Sequence, residues 1–101
     1  LSTYDGDASV AIDALLLAQK RKSTLLRALV VTALGKHGEK NETVRSTLFR
    51  MAKDRSVKVR SALATALGAW KRDDRVARLL ETLAKDRYSP VRKAAKAALS
   101  Q

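Results

Sequence analysis

Cysteine is absent from the 101 residues, which excludes disulfide frameworks and thiolate metal sites. Aromatic residues make up only 4% of the chain, so stacking platforms for single-stranded nucleic acid are scarce. One Pro, four Gly and no sustained apolar–polar alternation leave no signal for strands. No apolar run approaches the roughly 18–20 residues that span a bilayer. The stretch 25–34 is interrupted by Arg27 and lacks a cleavage context, so no secretory signal is read. A cytoplasmic setting without membrane insertion is expected. His37 is the single histidine, too few ligands for a zinc site, which takes three or four. Its position near a helix end suits a charge–dipole role. No Gly-rich phosphate loop follows a strand, and no nucleophile has a neighbouring base. No catalytic residue, metal or cofactor is expected in this chain.

What is present is apolar, basic and periodic. Ala, Leu and Val dominate the 46% apolar content, and Ala and Leu are strong helix formers. The stretch Ala52–Gly68 recurs thirty-two residues later as Ala84–Ser100, and its second half occurs thirty-three residues earlier as Arg27–Gly35. A fixed period of this size marks a helical solenoid. Three helix pairs are expected, over about 9–38, 41–70 and 73–101, after a lead-in at 1–8 that is either a free segment or the remnant of a preceding repeat. The chain begins at Leu1 without Met and stops inside a helical pattern at Gln101, so a piece of a larger protein is expected.

Helix starts and stops follow the same period. Asp7 or Ser9, Ser23, Asn41, Ser56, and Asp73 or Asp74 are candidate N-caps. Ser89-Pro90 opens the last helix, with Ser as the cap and Pro at the first helical position. Gly35 and Gly38 are expected to stop the second helix. Inward positions are Val44, Leu48 and Met51, then Val59, Ala62, Leu63, Ala66 and Leu67, then Val76, Leu79, Leu80 and Leu83, then Val91, Ala94, Ala98 and Leu99. Trp70 is read as partly packed in an inter-repeat connection. Phe49 is either a packed convex-side residue or an exposed partner contact.

The turn Asp54-x-x-x-x-Val59-Arg60-x-Ala62, followed by Ala66-Leu67-Gly68, resembles HEAT repeats of the short bacterial and archaeal kind. Asp86, Val91, Arg92, Ala94, Ala98 and Leu99 match in the third unit, with Ser100 in place of Gly. The first unit keeps Arg27, Ala33, Leu34 and Gly35, with Arg21 where the Asp is expected and Leu26 for Val. The resemblance implies an all-α, right-handed α-solenoid of three antiparallel helix pairs. It also implies a noncatalytic scaffold whose curved face binds a protein partner. Some HEAT-like proteins are DNA glycosylases, whose catalytic constellation does not map here, and some aminopeptidases end in such repeats. An accessory C-terminal domain of a larger enzyme is therefore one alternative. Asp54, Arg60, Asp86 and Arg92 are read as a structural ladder, the Asp taking backbone N–H groups and the Arg bonding its own or an adjacent repeat's Asp. Arg27 is expected to be less tightly paired, for want of an Asp at 21.

Charge supplies the remaining signal. The formal net charge is +11, a balance that suits an acidic protein surface or nucleic acid. Residues 1–40 hold six basic and four acidic groups, against seven and two over 41–71 and eight and four over 72–101, so most of the excess lies after residue 40. Basic residues recur at one turn: Lys20, Arg21 and Lys22, then Lys53 and Arg55, then Lys85 and Arg87. In a stack with spacings of about 8–10 Å these turns share an edge, which Lys58, Lys93 and Lys96 extend onto the concave surface. Such an edge would contact an acidic partner or follow a phosphate backbone with little base preference. Self-association through exposed terminal repeats is a further expectation.

Overall fold

The computed structural model of the chain describes residue 14, residues 23–37 and residues 41–101. Among the described residues there are five α-helices and no strand: α1 (Thr24–His37), α2 (Glu42–Met51), α3 (Val57–Leu67), a 3-10 turn at Gly68–Trp70, α4 (Asp74–Leu83) and α5 (Ser89–Ser100). Apart from helical Ala14, the helix expected over 10–20, its candidate caps and the turn 20–22 lie outside the described residues, as does Gly38.

Small polar residues start these helices by accepting N–H groups that the first turn leaves open. Ser23 Oγ accepts from Leu26 N at 3.2 Å, and Asn41 Oδ1 from Val44 N at 3.1 Å. Ser56 Oγ accepts from Val59 N at 3.3 Å, and Asp73 Oδ1 from Arg75 N and Val76 N at 2.8 and 3.3 Å. Each such cap contributes about 1 kcal/mol. The last helix departs from the expectation. Tyr88, not Ser89, is the N-cap of α5 and gives no side-chain cap bond; Ser89 and Pro90 are already in the first turn. Pro90 loses nothing there, because first-turn N–H groups have no intrahelical acceptor.

The helices stack as a solenoid in two tiers. The most extensive contacts run between the second helices of successive pairs, α1 with α3 and α3 with α5. Between the tiers runs one continuous core, formed by Val30, Val31 and Leu34 of α1, Val44, Leu48 and Met51 of α2, Val59, Leu63, Ala64 and Leu67 of α3, Val76, Leu80 and Leu83 of α4, and Val91, Ala95 and Ala98 of α5. Ala62, Ala66, Leu79, Ala94 and Leu99 are only partly buried against it. Such nearest-neighbour burial makes stability local to adjoining pairs.

Gly35 does not stop a helix: α1 runs through it to His37, and no described glycine has positive φ. Its role is proximity. A Cβ at position 35 would sit 2.7 Å from Ala66 Cβ, so the hydrogen side chain sets how closely α1 and α3 approach. Gly68 opens the 3-10 turn in ordinary helical geometry and lies against Ala98 of α5, the same relationship one repeat later.

Candidate interaction surface

The two described turns within helix pairs, between α2 and α3 and between α4 and α5, are built alike. Asp54 Oδ1 accepts from Ser56 N at 2.9 Å, and Asp86 Oδ1 from Tyr88 N at 3.0 Å, local bonds that bend the chain two residues on. The arginine six residues later donates Nη1 back to the turn carbonyl, Arg60 to Asp54 O at 2.6 Å and Arg92 to Asp86 O at 2.9 Å. The opposite edge of each guanidinium reaches forward. Arg27 Nε and Nη2 bond Asp54 Oδ2 and Oδ1 at 2.9 and 3.2 Å. Arg60 Nε and Nη2 bond Asp86 Oδ2 and Oδ1 at 2.8 and 3.3 Å. Both are bidentate and nearly enclosed, with side chains 11–13% exposed.

The direction of the rungs overturns one expectation. Each arginine serves the Asp of the following turn, so the Asp missing at 21 takes nothing from Arg27, which holds Asp54 in two bonds. The arginine without a forward carboxylate is Arg92: among the described residues no acidic group lies within 4.0 Å of it.

Three carboxyls are held below the usual Asp range. For Asp54, burial pushes upward but is outweighed by the Arg27 hydrogen bonds, the Ser56 N–H and the charges of Arg27 and Arg55. For Asp86 the Arg60 bond dominates, joined by the Tyr88 N–H and the charges of Arg60 and Arg92. Asp73 is lowered chiefly by its hydrogen bond from Arg45.

That last pair forms a second line of contacts on the first helices. Arg45 of α2 donates Nη2 to Asp73 Oδ2 at the start of α4, so Asp73 caps its helix and ties it to the preceding pair. Arg45 also stands 5.9 Å from the Trp70 ring centroid. Trp70 is buried beyond the partial packing expected of it, at 2% exposure, and donates Nε1 to Gly35 O at 3.0 Å. Phe49 is half-buried against the core beneath the Arg75 guanidinium at 5.8 Å. Neither ring presents an open stacking face, and Tyr88 is engaged by Arg60 and Arg87 at 5.7 and 5.6 Å.

The remaining cations point elsewhere. Lys53 and Arg55 in one turn, Lys85 and Arg87 in the next, and Lys58 at the start of α3 are exposed. None of the five has a carboxylate within 4.0 Å among the described residues. Lys20, Arg21 and Lys22 lie outside the described residues. Lys93 and Lys96 are exposed on α5. Gly68 of α3 touches α5, and Ala64, one turn earlier on the same side, is fully buried. Lys96 holds Ala64's place one repeat later, and Lys93 that of half-buried Ser61. On α1, Leu26 and Leu29 hold the places of Val59 and Ala62 and are 37% and 59% exposed, beside Leu25 at 57%.

Among the described residues no group of three His, Cys, Asp or Glu side chains is placed to hold a metal, and no helix is long and apolar enough to cross a membrane. His37 is the last residue of α1. Stacked two-helix units joined by Asp–Arg rungs define a helical-repeat protein. The family profile described as HEAT repeats matches residues 12–100, and the chain belongs to that family. No curated protein matches the chain. Repeats of this family generally act as protein-interaction scaffolds and are typically noncatalytic.

Proposed function

We propose that the chain is a noncatalytic interaction module that docks an acidic protein segment along the edge formed by its interhelical turns. The observation that carries this reading is a segregation of charge within each turn. Asp54 and Asp86 point inward and are occupied by Arg27 and Arg60, while Lys53, Arg55, Lys85 and Arg87 stand exposed on the same loops. Their charge is left for a partner, and it acts at long range to steer an acidic surface toward the repeats. Lys58 lies beside the edge, and Lys20, Arg21 and Lys22 extend it by sequence period. The same cations would attract a nucleic-acid backbone. What favours the protein reading is that repeats of this family generally act as protein-interaction scaffolds.

The test is a quadruple charge reversal of Lys53, Arg55, Lys85 and Arg87 to Glu. Binding of a polyglutamate peptide and of a short DNA duplex is followed at two salt concentrations, with thermal unfolding as the fold control. The reading expects peptide binding that falls at least tenfold in the variant at unchanged melting temperature. Undiminished peptide binding overturns it, and salt-sensitive binding of the duplex alone replaces it with the nucleic-acid reading.

Self-association through α1 is a second contact, favoured by the exposure of Leu25 and Leu29. A sedimentation experiment in which wild type and Leu29→Glu behave as the same monomer at all concentrations rules it out.

A further inference from the structure

Arg75, Arg78 and Thr82 follow a helical spacing on α4 and share one face. That face looks toward α2. The Arg75 guanidinium lies 5.8 Å from the Phe49 ring centroid and 3.9 Å from Glu42 Oε1. Glu42 is the single acidic residue of α2, and Arg75 meets it near the start of the two helices. One turn further on, Arg78 meets no carboxylate. It is exposed, and no acidic group lies within 4.0 Å of it among the described residues. It lines instead an open groove of about 610 Å³ between the end of α2, at Ala52, and the end of α4, at Leu83 and Lys85. We infer that this groove is a docking site for an Asp or Glu side chain of the acidic partner, whose carboxylate meets Arg78 beside Lys85.

The other charged groups of the groove set the class of ligand. Asp86 also lines it, but its carboxylate is bonded twice by Arg60 and once by Tyr88 N. The Lys85 charge is therefore left uncompensated. Glu81 lines the groove as well, with no cation within 4.0 Å among the described residues. Set against Arg78 and Lys85, it leaves an excess of one positive charge, which a carboxylate cancels and a phosphate dianion would overshoot. The guanidinium fork also matches the plane of a carboxylate. Protein walls on two sides strengthen that attraction over the same pair in open water. Buried Leu83 and half-buried Ala52 offer an apolar seat for the methylene groups of the docked side chain. Lys85 belongs both to the groove and to the turn edge, so a partner lying along the edge reaches Arg78 without leaving the surface. The repeat does not supply this site: Ser46 holds the place of Arg78 in the preceding pair.

The inference rests on the acidic-partner reading and adds a contact beyond the turn edge. It is tested by titrating the isotopically labelled chain with a capped polyglutamate peptide while the arginine Nε–Hε resonances are followed. The Arg78 signal is expected to shift saturably. That of Arg50 should stay in place, since Arg50 is also exposed but bonds Thr47 and does not line the groove. Arg78→Gln is expected to weaken the peptide about fivefold, near the upper end for an exposed ion pair, with the melting temperature retained. Arg50→Gln removes the same charge outside the groove and should change binding little. Equal losses in the two variants reduce the groove to general charge attraction and overturn it. A peptide that binds without moving Arg78 Nε–Hε overturns the groove and leaves the turn-edge reading standing. No binding at all overturns both. An Arg78 response to inorganic phosphate at lower concentration than to acetate overturns the carboxylate assignment. Should Arg78→Gln not fold, the resonances of the unaltered chain decide.

Discussion

Arg60 grips the Asp86 carboxylate through Nε and Nη2 at 2.8 and 3.3 Å, joining the turn of one helix pair to the turn of the next. Its third contact, Nη1 to Asp54 O at 2.6 Å, ties both turns to one guanidinium. Removing it leaves Asp86 without its main partner in a nearly enclosed place. Hydrogen bonds to charged groups are worth about 1.5–3 kcal/mol. Arg60→Ala is therefore expected to cost about 2 kcal/mol, while exposed Lys58→Ala stays within about 0.5 kcal/mol. Urea unfolding of the two variants checks this, and equal midpoints would remove the rung from the account of stability.

Acid should act through the same carboxyls. Asp54, Asp73 and Asp86 are each lowered in the folded chain, so the unfolded chain binds protons that the folded one refuses. Their stabilisation is complete above the unfolded Asp value of about 3.9 and is lost as pH falls through that value toward the folded ones. The melting temperature is expected to hold between pH 7 and 5 and to drop below about pH 4. Calorimetry of Asp86→Asn should give a lower melting temperature at pH 7 and a shallower acid limb. A limb of unchanged steepness would assign the acid loss to other groups.

Two glycines offer a paired comparison. Ala is favoured over Gly inside a helix by roughly 0.5–1 kcal/mol. At position 35 the added Cβ falls 2.7 Å from Ala66 Cβ, and forcing the helices apart costs about 1–3 kcal/mol. The clash wins, and Gly35→Ala destabilises. At position 68 the contacts are 3.1 Å to Ala98 Cβ and 3.1 Å to Gln101 Oε1, the latter a flexible end that can move away. Gly68→Ala should therefore cost distinctly less. Thermal melts of both variants decide the order.

Trp70 combines packing with a buried donor. In Trp70→Phe the ring is largely replaced, but Gly35 O loses the indole N–H that meets it at 3.0 Å. An unmet buried acceptor costs about 1–3 kcal/mol. The loss should appear as a lower urea midpoint by circular dichroism, and fast amide exchange should spread through the last turn of α1. Unchanged exchange there would show that solvent already serves Gly35 O.

The fold was legible because its determinants are local. Ser23, Asn41, Ser56 and Asp73 cap helices where small polar residues precede an apolar period, and Val44, Leu48 and Met51 share a face by spacing alone. Longer-range relations were not written in any one repeat. The forward reach of Arg27 and Arg60 depends on how repeats stack, so the partner of Arg27 lies twenty-seven residues on, not at position 21. The Arg45–Asp73 link has no counterpart in the third repeat, where Ala77 holds the arginine's place, so the period could not advertise it. Gly35 resembled a helix stop because closeness between helices leaves the same residue in the sequence as a left-handed turn. Ser89 looked like a cap from its dipeptide, but Asp86 fixes Tyr88 N and sets the helix start one residue earlier. Of the candidate surface, the exposure of Lys53, Arg55, Lys58, Lys85 and Arg87 followed from residue type.

Both junctions between second helices set a glycine against an alanine, Gly35 on Ala66 and Gly68 on Ala98. Because α3 takes part in both, a wedge at either junction reaches the other only through that helix, and the strain of one bulkier residue stays largely where it is introduced.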